Sequence, residues 1–331
     1  MTQEISEAAA AVIVEGERAV ANLGVLHGRL RSCFARRKPF EQAGKYMTGL
    51  VSDLPRKNGW TIAEHVGDRT PDRTQRLLNR AVWDHDQAQG VVRRFVVEQF
   101  GDQPLRVGTL DESGQEKQGE STAGAKRQYM GCAGRVANGV NTVYCSYATA
   151  GGHALVGLEF KTKSQLARDI LADMIADKTI PPWIAGDEVY GRAGKLRTFL
   201  EGNGIGYVMR VGCAFTIELP TGERMRADAA VTTHLTGRKH KRRWQVCSVT
   251  GSKGERAYAW AWLATTSPRH TLLIRKHLQT GELAYHYCHV PAGRPVTLMT
   301  LVRVACLRWP VEEGFEFGKD HFGLDHSQVR L

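Results

Sequence analysis

Apolar and polar positions keep different rhythms on either side of about residue 105. Before it nothing alternates strictly. Apolar residues recur at helical spacing in short, punctuated segments rather than in one long amphipathic helix, which predicts a helical domain over residues 1–100. Within it Trp60 to Val66 reads as a short helix and GDRTP as a turn. Thr70-Pro71-Asp72 then supplies an N-cap with Pro at the first helical position of a second helix, running to about Trp83. From Leu105 the segments LRVGTLD, RQYMGCAG, NTVYCSYATA and HALVGLEF alternate and predict neighbouring antiparallel strands. A helix over 164–177, the strand PPWIAGDEV, the helix AGKLRTFLEGN stopped by Gly204, and the strand GYVMRV follow.

That order predicts an α/β class for residues 101–331: a mixed sheet with flanking helices. Residues 212–292 revert to strand-like pieces, FTIEL, RRWQVCSV, AYAWAWLATT and LAYHYCHV, with little helical periodicity, and read as a β-rich insertion. The helical pattern resumes near Val296, breaks at Trp309-Pro310 and restarts with Pro310 at a first helical position.

Composition adds a partner. Lys and Arg number 45 against 34 acidic residues, a formal charge of +11 that suits a polyanion such as nucleic acid. The seven cysteines are scattered without a CxxC pair and read as buried, reduced thiols. The N-terminus has acidic residues where a secretory signal is basic, and no apolar run approaches a membrane span. A soluble, cytoplasmic protein is the expectation.

Several basic groups are candidates for DNA contact. Arg73, Arg76 and Arg80 fall at i, i+3 and i+7 with Leu77 and Leu78 turned inward, either a recognition helix or a solvated face. The run GRKHKRRW holds Lys239, Lys241 and Arg242, suited to phosphate contact or to a solvated hairpin. Trp260 and Trp262 alternate in a strand and read as core more readily than as a stacking platform, while strand alternation separates His289 from His286 and Cys288.

Two carboxylates stand where chemistry is usually placed in α/β sheets: Asp111 closes LRVGTLD and Asp187 ends WIAGD. Glu312 lies on a helix, two turns before Lys319 on the same face. Three carboxylates can cage hard dications, and two such ions relieve phosphate charge, activate water and stabilise the leaving oxygen. Spacing alone does not single out this triple.

Resemblance does. LDESGQEKQGESTAGAKRQYMGCAGRVANG, GDEVYG and RWPVEEGFEFGKDHFGLDHSQVR resemble the three catalytic blocks of DDE-type bacterial insertion-sequence transposases, in particular the IS701 group. RKNGWTIAEHVGDRTPDRTQRLLNRAVWD resembles their leader domain, so the likeness spans most of residues 25–330. It implies an RNase H-like catalytic domain interrupted by a β insertion and two Mg²⁺ ions, with Mn²⁺ as substitute. It also implies a homo-oligomer, nucleoid-associated, that cuts terminal inverted repeats and joins the freed strand to target DNA. Carried over residue by residue, Asp111, Asp187 and Glu312 are the catalytic metal ligands, with Glu112, Glu188 and Glu313 as rivals, and Lys117, Arg308 and Lys319 contact phosphate. A DNA-binding remnant and an RNase H-like nuclease without strand transfer are the alternatives.

The chain departs from the family pattern twice. Ala305 stands where a Tyr usually precedes the Arg by three positions. The ending at Leu331, where relatives continue into another helix, gives the expectation of a truncated copy.

Overall fold

The computed structural model describes residues 2–117, 125–130, 133–159, 163–251 and 254–322. Parts of the first and third family-like blocks, and Cys132, lie outside them. The chain divides into two units, one of Met1–Phe95 with the last helix from Glu316, the other of Val96–Phe315.

The first unit is helical. Helix α1, Thr2–Arg29, is one 28-residue element, not the punctuated series that the apolar spacing suggested. Its alanine run carries the strongest helix propensity and no proline interrupts it, so backbone preference overrides a weak apolar pattern. Helices α2 (Arg37–Leu50), α3 (Gly59–His65) and α4 (Asp72–Asn79) pack around Cys33, Phe34, Ala43, Leu77, Ala88 and Val91, the last two on α5 (His85–Phe100). Asn58 caps α3, accepting from the backbone of Trp60 and Thr61 while the Thr61 hydroxyl accepts from the Asn58 amide, a reciprocal capping box.

The α4 expectation needs three corrections. Pro71, not Thr70, is the N-cap. The Thr70 hydroxyl instead bonds Asp72. The helix ends at Asn79, because Arg80 leaves the α region, so Arg80 is not on the expected face. Leu77 is buried, whereas Leu78 is 56% exposed.

The second unit is built on one large sheet. Strands β1 (Val107–Glu116), β2 (Lys126–Met130), β3 (Arg135–Thr149), β4 (Gly152–Glu159), β5 (Trp183–Gly186) and β6 (Gly206–Val211) form its first part. β1 is antiparallel to β3, β3 to β4, and β5 and β6 run parallel to β1, giving the spatial order β4-β3-β1-β5-β6. With helices on both faces this is an RNase H-like fold.

A small hairpin, β7 (Thr216–Glu218) and β8 (Arg224–Arg226), and helix α9 (Ala227–Leu235) come next. Strands β9 (Gln245–Gly251), β10 (Gly254–Ala264), β11 (His270–His277) and β12 (Leu283–His289) then form an antiparallel meander, with β12 paired to β6. The segment is thus largely strand, but its strands extend the main sheet. It also contains helix α9, and RKHKRR is a 3₁₀ turn rather than a hairpin.

Strand alternation sorts two cores. On one face Leu110, Ile184, Tyr207 and Met209 meet α6 (Lys163–Ala176), α7 (Glu188–Arg192) and α8 (Gly194–Gly202) through Leu166, Ile170, Leu171, Tyr190, Leu196 and Leu200. On the other, Val107, Trp183, Ala185, Val208, Trp260 and Leu273 pack under α10 (Leu298–Cys306). Each such buried aliphatic side chain contributes about 1.5–3 kcal/mol. A break at residues 307–309 leads into α11, Pro310–Phe322. Trp260 is core, as its alternation suggested, while Trp262, on the same face of β10, is 38% exposed. Among the described cysteines Cys213 is exposed, against expectation.

Candidate active site

Asp111 does not close a strand: β1 continues to Glu116 against β3. What ends there is the parallel partner, since the β1–β5 register stops at Leu110 opposite Gly186. Asp111 and Asp187 each follow directly on that last pair, Asp111 still on β1 and Asp187 just past the end of β5. By alternation Asp111 shares a face with Val107, the face that α10 covers.

Asp187 is the N-cap of α7 and is fixed by that role. Its Oδ1 accepts from the backbone amides of Val189 at 2.9 Å and Tyr190 at 3.4 Å. Gly186 admits this turn closely: a Cβ there would lie 2.9 Å from Met209 Sδ and 3.0 Å from Tyr190 Cβ.

From the far end of the chain comes α11 with Glu312 in its first turn. Arg308 joins the two sides, donating from Nη1 to Asp111 Oδ2 at 3.2 Å and from Nη2 to Glu312 Oε1 at 3.4 Å. Asp111 and Arg308 are 15% and 17% exposed, whereas Glu312 is 63% exposed. Burial raises the Asp111 carboxyl to about 6; Arg308 and the Glu112 amide pull it down, and Asp187 and Glu312 push it up. One guanidinium therefore serves a set of three carboxylates and does not neutralise it. Tyr190 lies beneath, 1% exposed, its hydroxyl without a hydrogen-bond partner among the described residues, and burial with the neighbouring Asp187, Glu112 and Asp111 charges raises its pKa.

The rival carboxylates are directed elsewhere. Glu188 pairs with Arg192, Glu313 acts on His153, and Glu112 follows Asp111 on the opposite face of β1. Among the described residues no three His, Cys, Asp or Glu side chains are gathered as a metal-holding set, and Arg308 engages two of the three expected carboxylates.

The other expected contacts are dispersed. Lys117 follows β1, its amide bonded to the Asn138 carbonyl, and Lys319 lies two turns beyond Glu312 on α11. Lys239, Lys241 and Arg242 are exposed on the 3₁₀ turn. Arg73, Arg76 and Arg80 are exposed in the first unit, with Arg73 3.6 Å from Asp68. Sequence reasoning missed Arg210 and Arg275, which with Arg308 line one small pocket. The signal was a lone arginine inside each of two apolar strand runs, GYVMRV and TLLIRK.

The raised Asp111 pKa has a stability consequence. Its ordinary value is 3.8, so the folded state holds the proton more tightly, and the resulting stabilisation is complete below pH 3.8 and lost as pH rises through about 6. At pH 8 the neutral Asp111→Asn variant should be the more stable, by up to about 3 kcal/mol, with the difference vanishing below about pH 4. Thermal unfolding at the two pH values checks this. A variant less stable at pH 8 would show that Arg308 outweighs burial.

An RNase H-like sheet with Asp111 on β1, Asp187 just past the parallel β5 and Glu312 on α11 is the arrangement expected of the transposases that the sequence blocks resemble. Family models agree: a DDE superfamily endonuclease model matches residues 29–161 and a transposase DDE domain model matches residues 160–331. The second covers more than half the chain, and the protein belongs to the DDE transposase family. It is similar to a probable transposase for insertion sequence element IS701 from Microchaete diplosiphon, with 24% identity over 264 residues, 72% of this chain and 66% of the relative. No described helix is long and apolar enough to cross a membrane.

Proposed function

We propose that this chain is a DNA transposase that hydrolyses a phosphodiester at the ends of a mobile element and then transfers the freed 3′-hydroxyl strand to target DNA. The observation that carries this reading is the convergence of Asp111, Glu312 and Arg308 from opposite ends of the catalytic unit, beside Asp187. The family supplies the reaction class.

Asp111, Asp187 and Glu312 would hold the divalent ions. The donor chemistry fits: hard carboxylate oxygens, one buried and under-compensated, are what Mg²⁺ and Mn²⁺ prefer. Bound there, such ions activate water and offset phosphate charge. Burial opposes ionisation of Asp111, and a cation bound beside it would favour the ionised form. The α7 amides hold Asp187 in one rotamer, and the sheet beneath excludes water from one side. Arg308 would meet a phosphate oxygen near the cut, and Lys117 and Lys319 are further candidates for phosphate contact. Exposed Arg76 on α4, with Lys239, Lys241 and Arg242, would hold the flanking duplex by charge.

The test is a labelled duplex carrying the element's inverted repeat, incubated with the full chain in Mg²⁺ or Mn²⁺. A nick at the repeat end followed by a joined product in added target DNA is expected. Cleavage without joining reduces the protein to a nuclease, and salt-sensitive binding without cleavage reduces it to a DNA-binding remnant.

A further inference from the structure

Beside the carboxylates lies a pocket of about 30 Å³, lined by Arg210, Arg275, Arg308, Trp260, His286 and Ala305 among others. It exceeds the 10–15 Å³ or so that a single water needs. Its lining is short of acceptors. Neither Arg210 nor Arg275 has a carboxylate within salt-bridge distance among the described residues, although Glu282 acts weakly on Arg275 from further off. Arg275 lies over the Tyr258 ring at 4.6 Å and the Trp309 ring at 5.7 Å, which orients a guanidinium without cancelling its charge. Trp260 is 1% exposed, and its Nε1–H has no hydrogen-bond partner among the described residues. His286 Nδ1 is also unpartnered there, and burial, then Arg275, Arg210 and Arg308, pushes the ring down to about 3, so it adds no charge. Ala305 is part of the lining, so a large side chain there would intrude on the space.

Arg210 is exposed and Arg275 and Arg308 are half-buried, so water reaches part of the cluster, but an anion among converging guanidiniums would relieve their repulsion and accept from the buried N–H. Arg308 belongs both to this pocket and to the carboxylate pair. We propose that the pocket is an anion site for a DNA phosphate, and that filling it draws Arg308 off Asp111 and Glu312, opening those carboxylates to divalent cations. The identity of the anion and the metal-holding role of the carboxylates rest on the proposed activity. Phosphate and metal then bind cooperatively, because each relieves the charge that excludes the other.

Inorganic sulfate is a probe that pairs only weakly with Mn²⁺. Titrated into the metal-free full chain against chloride at constant ionic strength, it should change tryptophan fluorescence saturably, since Trp260 and Trp309 line the site. A short DNA duplex should displace it. Ala305→Phe, which blocks the space, and Arg275→Met, which keeps the stem without the charge, should weaken the response about tenfold or more while melting stays cooperative. Should either variant fail to fold, Arg275→Lys, which retains charge but loses the planar fork, replaces it.

By calorimetry, corrected for sulfate–Mn²⁺ pairing by a protein-free titration, saturating sulfate should tighten Mn²⁺ binding about fivefold or more in the native chain and leave it unchanged in Ala305→Phe. An equal fluorescence response in the folded variants, or Mn²⁺ affinity indifferent to sulfate, overturns the proposal. Sulfate–metal coupling in a protein that never cuts DNA would uphold the pocket and sink the transposase reading; cutting without coupling would do the reverse.

Discussion

Asp187→Asn is expected to lower DNA cleavage about a thousandfold or more while leaving the fold intact. The two consequences separate because this carboxylate has two jobs in the structure. One is mechanical: Oδ1 caps α7 by accepting from Val189 and Tyr190. Asparagine is as good an N-cap as aspartate, so its carbonyl keeps that function and the loss of stability should stay within about 1 kcal/mol. The other job is the negative charge beside Asp111, which the amide removes. Cleavage of the repeat duplex and thermal unfolding, measured on the same preparation, decide the matter. A folded variant that cuts at the native rate would exclude Asp187 from the chemistry, and Glu188 would then need the same test.

Gly191→Ala should cost about 3 kcal/mol or more and most of the activity with it, although Gly191 touches no substrate in the proposed reaction. A Cβ at this position would lie 1.8 Å from the Arg210 carbonyl oxygen and 2.9 Å from its carbon. Both are backbone atoms of β6 and cannot swing aside as a flexible side chain does, so α7 or β6 must shift. α7 begins at the residue that Asp187 caps, and β6 carries Arg210, so the shift displaces both sides of the site. Melting temperature and cleavage should fall together. Native melting with lost cleavage would point instead to a local effect on Asp187.

How much of this was legible in the residues depends on the range of the forces involved. Strands and helices of the catalytic unit could be read because alternation and helical spacing report one-sided burial directly, as at WIAG, GYVMRV and the α6 segment. The three carboxylates were singled out by resemblance, since no spacing rule distinguishes them from the other acidic residues. Antiparallel pairing among the first four strands was legible, but pairing at longer range was not: nothing local says that LAYHYCH pairs with GYVMRV and so continues the same sheet. The end of α4 was misplaced because Arg76 to Trp83 has acceptable helix propensity throughout, and the stop depends on how Arg80 and Ala81 turn back to the Arg76 carbonyl. The arginine pocket was invisible for a related reason. Arg210, Arg275 and Arg308 come from β6, β11 and the break before α11, and only the finished tertiary fold brings them together.

The ion pair between Arg308 and Asp111 spans 197 positions of sequence. Synthesis runs from the amino terminus, so the ribosome finishes both aspartate strands and the whole antiparallel meander before Arg308 or Glu312 exists. During that interval Asp111 faces a groove that α10 and α11 have not yet closed. A nascent chain, or one cut short by a nonsense codon ahead of α11, therefore lacks the last acidic group. On the proposed chemistry, no cutting is possible before α11 has been synthesised.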